Sequence, residues 1–219
     1  MQMTPERWSY TSQYVRDVFG SEDEALKHLR AEAERQGLPA IAISADVGHL
    51  LTLLTSMTRG RRALELGTLG GYSAVWIARG LHEDGHLTTV ERSPEYAEFA
   101  RAQLRLCGVG GRCTVKEADA IAALDEFVKT WPAGSVDVCF MDATKSEYPR
   151  YFERVRELIA PGGLLIADNV LGSSAWWIDE VGHPDREGAH ALNQLVASDP
   201  GFESCALPLR EGLLIARRR

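Results

Sequence analysis

Apolar positions in residues 8–36 recur at helical spacing: Trp8, Tyr14, Val15, Val18 and Phe19, then Leu26 and Leu29, all among polar neighbours. This pattern predicts two amphipathic helices. After "GLPAIAI", the stretch 44–57, "SADVGHLLTLLTSM", carries a third apolar stripe and opens on Ser44, a residue suited to cap a helix N-terminus. The period then changes. Short apolar runs at "ALEL" (63–66), "LTTVE" (87–91), "CTVKE" (113–117), "VDVCFMD" (136–142), "GLLIAD" (163–168) and "GLLIA" (212–216) predict strands, with helical stretches at 72–80, 94–106, 119–129 and 147–159. "PDREG" at 184–188 is the most loop-like segment. Strands alternating with helices of this length imply βαβ units and a doubly wound, mainly parallel α/β sheet. The expected organisation is a single domain, with a helical cap over 1–57 and an α/β core over 58–219.

In such sheets ligands bind beyond the carboxyl ends of the strands, so the residues closing each strand carry the functional information. The first strand runs into "ELGTLGGYSA", where Gly67, Gly70 and Gly71 allow a tight turn and close approach of a ligand to the backbone. A dinucleotide fingerprint would need glycine at positions occupied by Leu69 and Tyr72, so a nucleoside-type ligand fits better than a pyrophosphate. The second strand closes on Glu91, twenty positions past Gly71, a spacing at which a carboxylate reaches ribose hydroxyls; the alternative is a surface acid beside Arg92. After the third strand, "EADA" sets Ala118 and Asp119 near an expected adenine, although Asp119 equally suits a helix N-cap.

The fourth strand closes on Asp142 and the fifth on Asp168 followed by Asn169. Two carboxylates and an amide oxygen at neighbouring strand ends make an oxygen-only set suited to a hard divalent cation, Mg²⁺ first, with Ca²⁺ or Mn²⁺ as alternatives. Taken singly, each is a common cap or turn residue.

Composition narrows the function classes. The 219 residues are 45% hydrophobic and 25% charged, ordinary globular values, and the formal net charge of −7 disfavours a surface that wraps nucleic acid. The opening stretch lacks a basic run leading into an apolar core, and no later run has the length of a membrane span, so a soluble cytoplasmic protein is expected. Cys107, Cys113, Cys139 and Cys205 lack CxxC spacing; Cys139 and Cys205 sit in apolar, strand-like segments and are expected as buried free thiols.

Together, the glycine loop with its preceding Glu65, "VERSPEYAEFA", "FMDATKSEY", "PGGLLIADN" and "REGLLIA" resemble the cation-dependent O-methyltransferases that use S-adenosylmethionine, the catechol and caffeoyl-CoA type, over residues 38–216. The resemblance implies a Rossmann-like, seven-stranded methyltransferase sheet with extra N-terminal helices, and a homodimer. It implies Lys145 as general base, Asp142, Asp168 and Asn169 as metal ligands, and Ile43, Glu65, Gly67, Thr68, Gly71, Ser73, Glu91, Ala118, Asp119 and Asp142 around the cofactor. The expected acceptor is a small aromatic molecule with vicinal hydroxyls. A tRNA hydroxyuridine is the alternative within the family, for which Arg61, Arg62 and the arginines at 217–219 would supply a local patch. A nicotinamide-dependent oxidoreductase is the alternative outside it. The tandem indoles Trp176 and Trp177, in "VLGSSAWWIDEVGH", suit either an aromatic acceptor wall or core and dimer packing.

Overall fold

The structure, a computed structural model, describes residues 4–219, so the first three positions of the opening stretch lie outside the described residues. Three helices come first: α1 (Pro5–Phe19), α2 (Glu24–Arg35) and α3 (Ala45–Thr58). The α/β portion follows as β1 (Arg62–Leu66), α4 (Tyr72–Gly80), β2 (His86–Glu91), α5 (Pro94–Leu106), β3 (Cys113–Glu117), α6 (Ala120–Thr130), β4 (Val136–Met141), α7 (Tyr148–Leu158), β5 (Ile159–Asp168), α8 (Pro184–Ser198), β6 (Phe202–Leu207) and β7 (Leu213–Arg218). The seven strands form one sheet in the order β3-β2-β1-β4-β5-β7-β6. Neighbouring strands from β3 to β5 pair in parallel, whereas β7 runs antiparallel to both β5 and β6. The strand order reverses around β1, which places β1, β2, β4 and β5 at the crevice where a doubly wound sheet receives its ligand.

Alternation along the strands divides the core in two. Ala63, Val138, Phe140, Leu164 and Ile166 pack into a cluster with residues of α2, α3, α4 and α5. Leu64, Leu66, Cys139, Met141, Leu165 and Ala167 face the other way, against α6, α7 and α8. Period-two side-chain direction in a sheet covered on both faces explains why these strands read as continuous apolar runs. On the first face α3 and α4 approach closely because Gly48 has no side chain: a Cβ there would stand 2.4 Å from the Trp76 ring.

Two elements differ from the sequence expectation. Residues 184–188 begin α8 instead of forming a loop: Pro184 occupies the first turn, where its missing N–H costs nothing, and the His183 side chain accepts the Asp185 N–H as a cap. The strand β6 had no counterpart among the apolar runs, because as an edge strand it leaves most of its residues exposed. Cys205 lies on it and is exposed, correcting its expected burial, while Cys139 on central β4 is buried as expected. Ser44 does precede α3, but its side chain makes no capping bond.

The helix α1 buries none of its residues; Trp8, Tyr10, Tyr14, Val18 and Phe19 are exposed along it. Among the described residues no helix is long and apolar enough to cross a membrane.

Substituting Gly48 by Val drives a branched side chain into the Trp76 ring; overpacking of this kind costs about 1–3 kcal/mol. The expected outcome is a lower urea midpoint with an unchanged slope.

Candidate active site

The carboxyl ends of β1 and β4 meet closely because the loop after β1 opens on a glycine, Gly67. Gly67 and Gly71 have φ of 93° and 85°, and Leu69 between them also enters the left-handed region. At Gly67 a Cβ would sit 2.3 Å from the Asp142 carbonyl oxygen, so only glycine lets the end of β4 pass this close. The Asp142 N–H donates to the Leu66 carbonyl at 2.8 Å, and the Gly67 N–H to Val90 at 3.0 Å, which locks three strand ends together.

Glu91 is held by this loop. One carboxylate oxygen accepts the N–H groups of Thr68 (3.3 Å) and Leu69 (2.8 Å), the other that of Ser93 (2.9 Å). The side chain is therefore buried and fixed at the end of β2, not the surface acid that its neighbour Arg92 allowed. Ala118, half-buried, continues this edge through its N–H to the Glu91 carbonyl at 2.9 Å. Asp119 caps α6, accepting from the backbone of Ile121 and Ala122 at 2.9 and 3.1 Å.

Glu65 on β1 is fully buried. One of its oxygens accepts from the Thr89 hydroxyl at 2.6 Å, and that hydroxyl also meets Thr68; the other, Oε1, has no partner. Burial, opposed by the nearby Ser73 hydroxyl and the Thr89 hydrogen bond and reinforced by the charges of Asp142 and Glu91, pushes its pKa up to about 8. Glu65 is thus a carboxylic acid at neutral pH, able to donate as well as accept. Ser73, in the first turn of α4, and Ile43, just before α3, are both buried.

Asp142, Lys145 and Asp168 form the second half of the site. The Lys145 ammonium donates to Asp142 Oδ1 at 2.5 Å and lies 5.3 Å from the centre of the Tyr148 ring. Its 3-10 turn (Lys145–Glu147) is clamped by α8: the Ser146 N–H donates to the Asp185 carboxylate at 3.0 Å, and a Cβ at Gly188 would stand 2.2 Å from the Lys145 carbonyl oxygen. The segment that read as loop therefore seats the lysine. Asp168 is 2% exposed. Burial and the nearby Asp142 raise its pKa to about 6, with Arg210 and Lys145 pulling the other way. Asn169 follows with φ of 54°, turning the chain off the strand.

One residue central to this arrangement gave no sequence signal. Tyr148, fully buried, has its hydroxyl 2.9 Å from the carbonyl oxygens of both Met141 and Asp168. Its hydroxyl lies between two strand-end carbonyls and ties β4 to β5 beneath the carboxylates. Its aromatic ring at the start of α7 reads as ordinary core. Arg210, 3.9 Å from Asp168 Oδ2, is the other group the sequence did not mark.

The tandem tryptophans separate. Trp176 is 3% exposed and stacks 6.4 Å from His183, whereas Trp177 is 43% exposed with its ring lying on Gly172. A cavity of about 290 Å³ opens between the N-terminal helices, the residues leading into α3 and Arg210, and neither indole lines it.

A doubly wound sheet whose reversal point carries a glycine cradle, an anchored acid and paired carboxylates defines a nucleoside-dependent α/β enzyme. Comparison with known proteins gives the family: residues 16–219 match the family model described as O-methyltransferase. A catechol O-methyltransferase of Niastella koreensis is 33% identical over 196 residues, 90% of this chain and 88% of that protein. A caffeoyl-CoA O-methyltransferase of Zea mays is 32% identical over 220 residues, 94% and 81% of the two chains. The crystal structure of an O-methyltransferase from Bacillus cereus in complex with SAH superposes with a TM-score of 0.88 at 31% identity, covering 98% of this chain and 99% of that one. The chain belongs to the O-methyltransferase family, and a nicotinamide oxidoreductase is set aside.

The raised pKa of Glu65 has a sign that can be measured. A carboxyl titrating near 8 when folded and in the ordinary carboxylate range when unfolded adds stability at low pH, and this contribution is lost as pH rises through about 8. The ligand-free protein should lose stability in urea between pH 5 and pH 8, and Glu65→Gln should flatten that part of the slope.

Proposed function

We propose that the protein transfers a methyl group from S-adenosylmethionine to one of two vicinal hydroxyls on a small aromatic acceptor, with a divalent cation at Asp142, Asp168 and Asn169 and with Lys145 as general base. The observation that carries this reading is the pairing of Lys145 with Asp142 at the end of β4, beside the end of β5 where Asp168 lies, which sets an amine next to hard-oxygen donors.

The residues fit both absent groups. Glu65 presents an unpartnered oxygen, and the Gly67–Gly71 turn, glycine at three of its five positions, lets a ligand approach the backbone, which suits the charged end and ribose of a sulfonium nucleoside. Asp168, buried and pressed by Asp142, is a carboxylate that positive charge would relieve, and Asn169, next in the chain, would add an amide oxygen to the donors. When bound, S-adenosylmethionine supplies the electrophilic methyl and the cation lowers the charge cost of a phenolate.

The remaining work falls to the chain. A phenol with a pKa near ~10 keeps its proton at neutral pH, so a base must act within hydrogen-bond reach. Lys145 acts in its neutral form: its ammonium proton passes first to solvent, Nζ then takes the acceptor's hydroxyl proton, and Asp142 holds that nitrogen in place. The clamp from Asp185 and Gly188 keeps the lysine turn from retreating. Tyr148 positions Asp142 and Asp168 by fixing the ends of their strands. Glu91 holds the glycine loop rigid and leaves carboxylate lone pairs for ribose hydroxyls, with Thr68, Ser73, Ile43, Ala118 and Asp119 completing the cofactor's surroundings. Orientation of oxygen against methyl is the largest gain such a site can offer.

Lys145→Ala should lower kcat by about 10²–10⁴-fold with little change in S-adenosylmethionine affinity by calorimetry. Asp168→Ala should abolish the response to added Mg²⁺. Product analysis with labelled cofactor, Mg²⁺ and a panel of catechols, flavonoids and tRNA identifies the acceptor class, and full turnover after chelation of divalent ions would refute the cation's role.

A second copy of the chain, covering the apolar face of α1, gives the homodimer we assign to this protein. Light scattering should report twice the chain mass, and Tyr14→Glu with Val18→Glu should shift it toward the monomer.

A further inference from the structure

Arg210 stands in a backbone conformation that arginine rarely adopts. Its φ is 52°, in a turn closed by the Gly212 N–H donating to the Leu209 carbonyl at 3.0 Å. The turn is tied to the segment after Asn169: the Val170 N–H donates to the Gly212 carbonyl at 3.1 Å, and the Leu171 N–H to Glu211 at 2.9 Å. Left-handed φ at a non-glycine residue persists only where the surroundings impose it, and such positions cluster at ligand sites. Here the constraint carries a guanidinium to the edge of Asp168.

The guanidinium is flanked by two carboxylates, Glu211 Oε2 at 3.2 Å from its Nε and Asp168 Oδ2 at 3.9 Å from its Nη1, and these contacts do not use up all of its N–H groups. At 3.9 Å the pair with Asp168 is a charge contact without a hydrogen bond, and Arg210 Nη1 is buried with no partner. Buried donors are nearly always satisfied, so an unfilled guanidinium N–H beside a reaction site calls for an acceptor from outside the chain. The same side chain lines the 290 Å³ cavity together with Ser44, whose hydroxyl is likewise buried and unpartnered. The other charges of the cavity are largely committed: Arg30 pairs with Glu22 at 3.1 Å, Glu22 also accepts from the Tyr72 hydroxyl at 2.7 Å, and Arg16 donates to Gln13 at 2.9 Å. Asp46 contributes one buried, unpartnered carboxylate oxygen, which together with Asp168 and Glu211 disfavours a ligand of higher negative charge.

We propose that Arg210 is a specificity-determining residue whose guanidinium, with the Ser44 hydroxyl as second donor, receives a single carboxylate on the methyl acceptor, so that the protein selects monoanionic over neutral vicinal diols. This rests on the reading that the acceptor's hydroxyls lie at Asp142 and Asp168. Arginine is suited to the task because its planar fork matches a carboxylate and its charge does not depend on pH.

The test compares 3,4-dihydroxybenzoate with its methyl ester, which keeps both hydroxyls and removes only the charge. The enzyme is assayed with Mg²⁺ and saturating S-adenosylmethionine as the natural sequence, as Arg210→Gly and as Arg210→Lys. Glycine accepts the left-handed backbone freely, so the Gly variant removes the side chain without straining the turn; its circular dichroism and urea midpoint are recorded alongside. The natural sequence should favour the acid in kcat/KM by about 10- to 100-fold, the range for a hydrogen bond to a charged group. That ratio should fall toward one in the Gly variant, mainly through KM, and recover in part with Lys. Calorimetric binding of 3-methoxy-4-hydroxybenzoate should weaken in parallel. Turnover of both compounds without preference overturns the assignment while leaving the acceptor site intact. An equal loss on acid and ester in the Gly variant also overturns it, since Arg210 would then act through Asp168. Turnover of neither compound by the natural sequence overturns the acceptor reading and this assignment with it.

Discussion

Carboxyl groups crowd the edge of this sheet, and the rest of the site is arranged around that crowding. Glu65, Glu91, Asp142 and Asp168 come from four strand ends, and the charges of Asp142 and Glu91 are felt at Glu65, as that of Asp142 is at Asp168. Each acid is handled differently. Glu91 is neutralised by backbone N–H groups, Asp142 by Lys145, Asp168 in part by Arg210, and Glu65 by keeping its proton. Carboxyl groups handled in these separate ways can share one sheet edge without the mutual repulsion that four bare charges would bring.

The scaffold that tolerates this crowding is made from close approaches. Gly67 admits the Asp142 carbonyl, Gly188 admits the Lys145 carbonyl and Gly48 admits the Trp76 ring. In each case a missing side chain brings a whole element nearer, so that backbone and strand ends, which cannot swing between rotamers, carry the functional groups. Tyr148 adds a hydroxyl that bridges β4 and β5 at that level. Rigid positioning of this kind is what a displacement reaction needs, because misplacement by a fraction of an ångström is costly.

Most of this architecture was legible in the sequence. Buried parallel strands announce themselves as apolar runs, and the residues closing them, Glu91, Asp142 and Asp168, could be read off directly. The edge strand β6 was not, since exposed positions carry no apolar alternation. Nor was α8, whose opening "PDREG" has loop composition although Pro184 and the His183 cap make it a helix start. Within the site, local pattern named the charged residues but not their condition. That Glu65 keeps its proton depends on total burial by distant segments, and that Tyr148 bridges two carbonyls depends on a strand pairing no local window contains. Arg210 escaped notice because an arginine in a turn is ordinary until its φ and its unfilled N–H are seen.

The pairing of β1 with β4 carries a consequence for how the protein comes into being. Ala63 and Val138 are register partners across this seam, with β2, β3 and three helices between them in the chain. Such non-local pairing is the slow part of folding, because a long loop must close before any contact rewards it. The glycine loop hangs from one side of the seam and Asp142 with Lys145 from the other, so any partly folded form in which the seam is still open keeps these groups apart. Activity regained during refolding cannot precede that closure, whatever helices have formed before it.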